Sequence, residues 1–401
     1  MLARGQVNAP AVVRETTAEI VSHPRNALAL RVRSGAYYVK GESDQGRRDA
    51  EEVERLLESA STAEDYEARC YARWRLSKPD LAVSDCTRAI ELDKKFVWPY
   101  HNRANAYNDK GNFQSALGDW NKAIELDPKF APAYNNRGNY YTNIRDYDRA
   151  IADLNKTLEI DPQWASAYSV RGNAYSYKGE PDKALVDYNK NIELDPRDGR
   201  PYNYRGTIYF NRNEYDQAIS DYNKALELIP RYAWAFSNRG NAYYGKGQMD
   251  RALADYNQAI AVDPQYAWAY QNRANVYYDR KNYDRAIADY DKAIELNPQL
   301  AWAYNSRGLS YYYKGNLDQA MSDYDKAIEI DPREAAAFYN NRGNIYYSRK
   351  DYSRAIIDYT KAIEVDPKYA IAYGNRASAY QAMGDSINAA ADRAKADKLK
   401  K

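Results

Sequence analysis

The sequence has little of the chemistry on which most catalytic and metal sites depend. Histidine occurs only at His23 and His101, and cysteine only at Cys70 and Cys86. These four residues do not have the spacing of a zinc site, and two cysteines are too few for a disulfide framework. A glycine-rich phosphate loop and a nucleophile elbow are also missing. We therefore expect no catalytic residue, no metal and no cofactor, and a protein that is not an enzyme.

Long apolar runs and an excess of charge of one sign are missing as well. No apolar run reaches the roughly 18 residues of a membrane-spanning helix. The 58 basic and 56 acidic residues are interspersed and give a net charge of +2. Nucleic-acid binding through phosphates would call for a basic stripe, so nucleic acid is not an expected partner. The first residues lack the apolar core of a secretory signal, so we expect a cytoplasmic protein.

The two cysteines lie 16 residues apart, and the expected state is a pair of buried thiols that fill core volume. Cys70 takes the place of a small residue in one helical segment, and Cys86 takes the place of a bulky residue in the next. A disulfide or a redox role is the alternative. Reduced thiols would fit the cytoplasm.

What the sequence does contain is a repeat with a period of 34 residues, seen most clearly over residues 267–300. A fixed period of this length predicts an array of stacked units rather than a globular domain. The proline that closes each unit marks the period at Pro128, Pro162, Pro196, Pro230, Pro264, Pro298, Pro332 and, one residue late, Pro367.

Each unit contains two segments with helical periodicity. In residues 267–300, Tyr270, Ala274 and Tyr277 lie at i, i+4 and i+7 in the first segment, and Ala286, Tyr290 and Ala293 keep a similar spacing in the second. The closing proline cannot continue a helix and forces a turn. One helix pair cannot bury its apolar face alone, so neighbouring pairs must stack.

The repeat predicts the organisation of the whole chain. Residues 1–26 form a lead-in without repeat register, and residues 27–62 form a degenerate capping repeat. Residues 63–369 hold nine units that start at residues 63, 97, 131, 165, 199, 233, 267, 301 and 335. The unit at 335 carries one additional residue, which we place in the loop before Arg342. Residues 370–401 form a final helix pair with a polar capping helix.

This pattern resembles the tetratricopeptide repeat. In the unit that begins at residue 97 the resemblance is carried by Tyr100, Arg103, Ala104, Tyr107, Ala116, Trp120, Ala123 and Pro128. The resemblance implies an all-α solenoid of antiparallel helix pairs in a right-handed superhelix, with the first helices lining a concave groove. It also implies a protein-binding role. The family usually has leucine where this chain has Arg103.

The residues that follow the first helices alternate in a regular way. Glycine alternates with arginine, asparagine or lysine, and glycine adopts a left-handed backbone without steric cost, asparagine more easily than other residues. Lysine and arginine in this conformation cost about 1 kcal/mol or more. The positions are Gly111, Arg145, Gly179, Asn213, Gly247, Lys281, Gly315, Lys350 and Gly384.

An arginine on each first helix and an aspartate on each second helix recur at fixed places. Opposite charges repeated in this way predict structural ion pairs, since a half-buried arginine without a partner is costly. An exposed cationic stripe for an anionic ligand is the alternative. The arginines include Arg103, Arg137, Arg171, Arg205, Arg239, Arg273, Arg307 and Arg342, and the aspartates include Asp119, Asp153, Asp187, Asp221, Asp255, Asp289, Asp323 and Asp358.

Asparagines recur on both sides of the arginine, although asparagine is a poor helix former. A carboxamide offers donors and an acceptor, which an extended peptide main chain requires. The rows are similar to the asparagine ladder of the O-linked N-acetylglucosamine transferase repeats, which implies peptide binding; stacking of the units is the alternative. One row includes Asn102, Asn136, Asn238, Asn272 and Asn341, and the other includes Asn105, Asn139, Asn241, Asn275 and Asn344.

Aromatic residues recur near these rows. Trp234, Trp268 and Trp302 begin three consecutive first helices, and Tyr244, Tyr278 and Tyr312 follow later in the same helices. They are either exposed anchors in the groove or packing over the loops between units. The place where the family's chaperone-tail clamps carry lysine holds His101, Asn135 and other uncharged residues, so a terminal carboxylate is not the expected ligand.

Together these patterns predict a monomeric scaffold that binds an extended segment of another protein in its groove. The alternative is a structural protein that self-associates through its terminal repeats. Single-stranded RNA stacked on the aromatic residues is a third possibility, which the balanced charge disfavours.

Overall fold

The computed structural model describes residues 9–23 and 26–399, and every regular element in this range is an α-helix. By its internal contacts the chain divides into two compact units, residues 1–208 and 209–401. Both units are built from helix pairs stacked one on the next, so the predicted all-α solenoid of helix pairs is confirmed.

The first unit begins with α1, a helix outside the repeat register, and continues in helix pairs. The helices are α1 (Ala9–Ser22), α2 (Ala27–Val39), α3 (Ser43–Leu56), α4 (Ala63–Arg75), α5 (Pro79–Leu92), α6 (Val97–Asp109), α7 (Phe113–Leu126), α8 (Ala131–Asn143), α9 (Tyr147–Ile160), α10 (Ala165–Lys178) and α11 (Pro181–Leu194).

Helix α12 (Gly199–Asn211) runs across the boundary, and the second unit continues with the same alternation. Its helices are α13 (Tyr215–Leu228), α14 (Ala233–Gly245), α15 (Met249–Val262), α16 (Ala267–Asp279), α17 (Tyr283–Leu296), α18 (Ala301–Tyr313), α19 (Leu317–Ile330), α20 (Ala336–Ser348), α21 (Tyr352–Val365), α22 (Ala370–Ala382) and α23 (Ser386–Leu399). The additional residue of the unit at 335 lies before α20, which begins at Ala336.

Even-numbered helices from α2 onward are the first helices of the pairs, and odd-numbered helices from α3 onward are the second helices. In the first unit α2 contacts α4, α4 contacts α6, α6 contacts α8, and α8 contacts α10. In the second unit α14 contacts α16, and α16 contacts α18. The first helices of each unit therefore form a layer, which we call the first-helix face.

The core of most pairs joins a large ring on the second helix to a small residue on the first. Tyr256 is almost fully buried, and a methyl group added to Gly240 would lie 2.6 Å from its ring. Tyr290 and Ala274 belong to one core cluster in the next pair, as do Trp120 and Ala104 in the first unit. Such interdigitation is what close packing of antiparallel helices requires.

The left-handed residues predicted after the first helices are confirmed. Glycines there have φ between 72° and 87°, with Gly247 at 72° and Gly179 at 87°. Arg145 (64°), Asn213 (60°), Lys281 (58°) and Lys350 (60°) adopt the same conformation without being glycine. The chain therefore accepts backbone strain at every second pair.

The expectation of two separate buried thiols is wrong. Cys70 and Cys86 are joined by a disulfide between α4 and α5, with their Cα atoms 5.4 Å apart, and both are fully buried. Facing helices bring the small and the bulky place of one pair into direct contact, which is the geometry that a disulfide needs. Reduced thiols were one argument for a cytoplasmic protein, and the disulfide removes that argument.

Candidate functional site

Two adjoining cavities open on the first-helix face of the first unit, over α4, α6 and α8. The aromatic cavity, of about 270 Å³, is lined by Arg31, Tyr71, Trp74, Arg75, Trp98 and His101 among others. The carboxamide cavity, also of about 270 Å³, is lined chiefly by Asn105, Asn108, Asn136, Asn139 and Asn143. Trp74, Asn105 and Asn136 line both cavities, so the two are continuous.

The helical period places these side chains on one face. Trp98, Asn102 and Asn105 stand at i, i+4 and i+7 on α6, and Asn136 and Asn143 are similarly spaced on α8. Because first helices of neighbouring pairs are in contact, the two sets lie side by side.

Asn105 is the centre of the hydrogen-bond network between the cavities. Its Oδ1 accepts from Trp120 Nε1 at 3.3 Å and from Asn136 Nδ2 at 2.9 Å. Its Nδ2 therefore donates to His101 Nε2 at 3.2 Å. The remaining ring nitrogen of His101, Nδ1, must then carry the proton of the neutral imidazole.

His101 is neutral at physiological pH. Burial lowers the pKa of His101 to about 3, and the charges of Arg31 and Arg75 act in the same direction. The protonated Nδ1 has no hydrogen-bond partner among the described residues, and neither has the buried Nε of Arg31. Arg31 and His101 are each only 6% exposed.

Asparagines of the second row mostly hold buried tyrosines. Tyr256 donates its hydroxyl proton to Asn241 Oδ1 at 2.7 Å, and Tyr290 donates to Asn275 Oδ1 at the same distance. Tyr188 and Tyr359 bond Asn173 and Asn344 in the same way, at 2.8 and 2.9 Å. Sequence reasoning missed this link, although a tyrosine 15 residues after each asparagine was a signal for it.

Asn139 is the exception in this row. The residue that faces it in the register of the other pairs is Leu154, which has no hydroxyl group. Asn139 is accordingly exposed, and so is Asn143 one turn further along α8. Both line the carboxamide cavity. At the place where leucine replaces tyrosine, the carboxamide of Asn139 is thus left exposed.

Asparagines of the first row bridge neighbouring pairs. Asn341 donates to Asn305 Oδ1 at 2.9 Å, Asn272 to Ser237 Oγ at 3.4 Å, and Asn102 to Glu67 Oε1 at 2.7 Å. Asn238 is not free either. The structure therefore uses part of the hydrogen-bonding capacity of this row for contacts between first helices.

In most pairs the arginine forms a bidentate hydrogen bond with the aspartate 16 residues later. In Arg239, for example, Nε and Nη2 donate to the two oxygens of Asp255 at 2.8 and 2.7 Å. Neither Arg205 nor Asp221 is free. The corresponding pairs elsewhere are Arg103–Asp119, Arg137–Asp153, Arg171–Asp187, Arg273–Asp289, Arg307–Asp323 and Arg342–Asp358.

Each of these arginines also reaches back to the preceding pair. Arg239 Nη1 donates to Asn223 Oδ1 at 2.6 Å, and Arg307 Nη1 donates to Asp291 at the same distance. The second acceptor lies 16 residues before the arginine, or 17 residues before it in the case of Arg342. It is an asparagine or an aspartate in these pairs, a row that was visible in the sequence, whereas Arg103 donates to Thr87. The arginine row thus joins the two helices of one pair to the second helix of the pair before.

In the second unit, tryptophans combine packing with exposure. Trp234, Trp268 and Trp302 are 55%, 49% and 48% exposed. Trp234 stacks on Tyr266, and Trp302 meets Phe338 edge to face, so each of these two rings is held from one side. The tryptophans are thus partly exposed, as anchors in a groove would be, and Trp234 and Trp302 also pack against a neighbouring ring.

The tyrosines of the second unit are less accessible than the tryptophans. Tyr244, Tyr278 and Tyr312 are half-buried. Tyr244 donates to Asp279, and burial together with this carboxylate raises the pKa of Tyr244 to about 12. Tyr278 and Tyr312 pack against Tyr313.

Neither cavity brings together an acid, a base and a nucleophile. Among residues 9–23 and 26–399 no group of histidine, cysteine and carboxylate side chains is placed to hold a metal ion. None of the helices described combines the length and apolarity that a membrane crossing requires. What the two cavities offer is hydrogen bonding and aromatic surface, together with the charged side chain of Arg75 in the aromatic cavity and that of Asp109 in the carboxamide cavity.

Models of tetratricopeptide repeats match most of the chain from residue 104 onward. One, described as TPR repeat, matches residues 104–144, 206–247, 240–279 and 274–315. Another, described as tetratricopeptide repeat, matches residues 131–163, 165–198, 301–334 and 336–369, and a third matches residues 358–391. No curated protein sequence shows a significant match.

Several solved structures are similar to this chain. YrrB, described as a TPR protein with an unusual peptide-binding site, is 26% identical over 46% of this chain and 95% of its own, with a TM-score of 0.38. MamA is 30% identical over 41% of this chain and 96% of its own, with a TM-score of 0.36. A repeat protein from Parabacteroides merdae ATCC 43184 is 23% identical over 59% and 93%, with a TM-score of 0.47.

Proposed function

The chain belongs to the tetratricopeptide-repeat family, and we propose that it is a non-enzymatic scaffold whose first-helix face binds an extended segment of a partner protein. Repeats of this family generally serve protein interaction. The carboxamide cavity is the observation that carries the proposal for this chain. It offers the donors and acceptors that an extended main chain, with its alternating N–H and C=O groups, requires.

The carboxamide cavity contains asparagines that are held by hydrogen bonds and asparagines that are exposed. Asn105 and Asn136 are held by their mutual hydrogen bond and by Trp120, so they are ordered before a ligand arrives. Asn139 and Asn143 are exposed and can turn toward a ligand. Ordered groups reduce the entropy lost on binding, which favours affinity. Taken by itself, the second unit offers half-exposed tryptophans that are suited to apolar side chains of a partner.

The charge of the chain favours a protein over RNA as the partner. Most arginines of the first helices are neutralised by aspartates within the same pair, and the net charge is only +2. A phosphate backbone would gain little from such a surface. The disulfide favours an oxidising compartment, so the cytoplasmic location is not part of the proposal.

The test is a binding measurement with peptides selected from a library of random dodecapeptides with amidated C termini. Wild-type protein should select peptides, and fluorescence anisotropy should give their dissociation constants. The variant Asn139→Ala/Asn143→Ala should bind the same peptides about tenfold more weakly, because each lost hydrogen bond contributes about 0.5–1.5 kcal/mol. Selection of no peptide by the wild type would refute the proposal.

A matched control removes two exposed carboxamides away from the cavities, in Gln114→Ala/Gln217→Ala. Both glutamines lie on second helices, so peptide affinity should stay within a factor of two of the wild type. Equal losses in the two variants would show that the first-helix face is not the binding surface.

A further inference from the structure

Arg75 is a cation without a carboxylate partner among the described residues. Its Nε donates to the Tyr71 hydroxyl at 3.0 Å, and its guanidinium carbon lies 4.4 Å from the ring centres of both Tyr38 and Trp74. This differs from the arginines of the repeated row, such as Arg69, which bonds both oxygens of Asp85. The stacked rings hold the charge of Arg75 in place but do not neutralise it.

The other charges around the aromatic cavity do not neutralise Arg75 either. Glu67 is engaged by Arg31 and by Asn102, which leaves this ion pair neutral as a whole. Asp109 accepts the indole proton of Trp74 at 2.7 Å and lines the neighbouring carboxamide cavity. The aromatic cavity itself therefore carries one excess positive charge.

Two nearly buried residues in the wall of the aromatic cavity have an unused donor. His101 Nδ1 and Arg31 Nε both lack a hydrogen-bond partner among the described residues. Both side chains contact Trp98: its ring lies 5.0 Å from the Arg31 guanidinium carbon and 5.8 Å from the His101 ring. Both donor atoms are buried, so a ligand oxygen reaches them when the two side chains rotate toward the cavity. An unsatisfied buried donor costs about 1–3 kcal/mol, which favours that contact.

We propose that the aromatic cavity selects an acidic side chain, aspartate or glutamate, in the peptide bound by the first-helix face. The inference rests on the proposed function. The carboxylate meets the charge of Arg75 and the donors of Arg31 and His101, while its methylene groups lie against Trp74 and Trp98. A basic side chain is repelled by Arg75, and an apolar one leaves the donors unsatisfied.

Continuity with the carboxamide cavity argues for an acidic residue within a peptide rather than a free carboxylic acid. Trp74, Asn105 and Asn136 line both cavities, so a side chain in the aromatic cavity has its own main chain beside the asparagines. A peptide can occupy both cavities at once, whereas a small acid would fill only one.

The experiment is the same selection from amidated random dodecapeptides, sequenced for the wild type, Arg75→Gln and Arg75→Lys. The wild type should enrich aspartate or glutamate at one position about tenfold over asparagine and glutamine. Arg75→Gln should still select peptides but lose this preference, and Arg75→Lys, which restores the charge, should keep it. The control Arg149→Gln removes an arginine that stacks on Tyr141 outside both cavities, and it should keep the preference.

The outcomes separate this inference from the proposed function. Selection of peptides without an acidic preference, or an acidic preference that survives in Arg75→Gln, overturns the inference and leaves the scaffold proposal standing. Selection of no peptide overturns both. A second selection, from random dodecapeptides with free C termini, shows whether the bound carboxylate belongs to a side chain or to the end of the peptide. If acidic enrichment is absent and binding instead requires the free terminus, the carboxylate comes from the chain end and the side-chain inference is wrong.

Discussion

The sulfur of Cys70 is bonded to the sulfur of Cys86, at the two places that Ala104 and Trp120 occupy one helix pair later. The same 16-residue separation joins Arg69 to Asp85 beside it. One pair of helices is thus held by a covalent bond where the next relies on a small residue packed against a large ring. The disulfide lies in α4 and α5, the pair that supplies Trp74 and Arg75 to the aromatic cavity.

The disulfide predicts a local loss of stability on reduction. A closed loop of about 15 residues stabilises by roughly 3 kcal/mol, chiefly by restricting the unfolded chain. Protein refolded in a reducing agent should lose about this amount, and hydrogen exchange should locate the loss in α4 and α5, since repeat arrays unfold locally. Alkylation of the denatured, unreduced protein at two thiols per chain would contradict the account.

Because Gly247 and Lys281 both have a left-handed backbone, we expect exchanging glycine and lysine at these two places to change stability in opposite directions. Lys281→Gly should raise the free energy of unfolding by about 1 kcal/mol, because glycine adopts φ of 58° without a Cβ clash. Gly247→Lys, at the equivalent place one pair earlier, should lower it by a similar amount. Urea unfolding of the two variants measures both effects, and a destabilised Lys281→Gly protein would count against this interpretation of the alternation.

The arginine row predicts strong coupling between Arg239 and Asp255. Both Arg239→Ala and Arg239→Leu should cost about 3 kcal/mol, because Asp255, only 5% exposed, is left buried without its partner. The double variant Arg239→Leu/Asp255→Leu should recover most of this loss, since no charge remains buried. Additive losses in a double-mutant cycle followed by urea unfolding would show that the two residues do not form a unit.

We predict that the asparagines of the second row divide into positions that stabilise the fold and positions that bind the ligand. Asn241→Ala should lower the free energy of unfolding by about 1–3 kcal/mol, because the buried Tyr256 hydroxyl loses its acceptor. Asn139→Ala should change stability by less than about 0.5 kcal/mol, since the exposed side chain supports no buried group. Thermal unfolding of the two variants compares them directly, and equal losses would remove the distinction.

The sequence was sufficient for the architecture because the pattern repeats. Alternation of small and large residues, closing prolines and left-handed residues all favour the same helix pair, and agreement among local signals is what specifies a fold. The arginine and aspartate rows were visible for the same reason. Helix α1 lies outside the repeat and gave no comparable signal.

The cavities could not be found in the same way, because they depend on departures from the repeat. Leu154 in place of tyrosine is a single substitution, and Asn139, which lies opposite it in the register of the pairs, is exposed. Arg75 has no counterpart in the regular rows, and its surroundings come from α2, α4 and α6 together. The disulfide was left open as an alternative, since neither spacing nor composition shows whether two buried sulfurs face each other.

Hydrogen exchange of the wild-type protein with and without a saturating selected peptide tests the central claim most directly. The account predicts slower amide exchange in α4, α6 and α8, with little change in the second helices α5, α7 and α9. Protection confined to the second helices, or absent from α4, α6 and α8 when the peptide is bound, would contradict binding on the first-helix face.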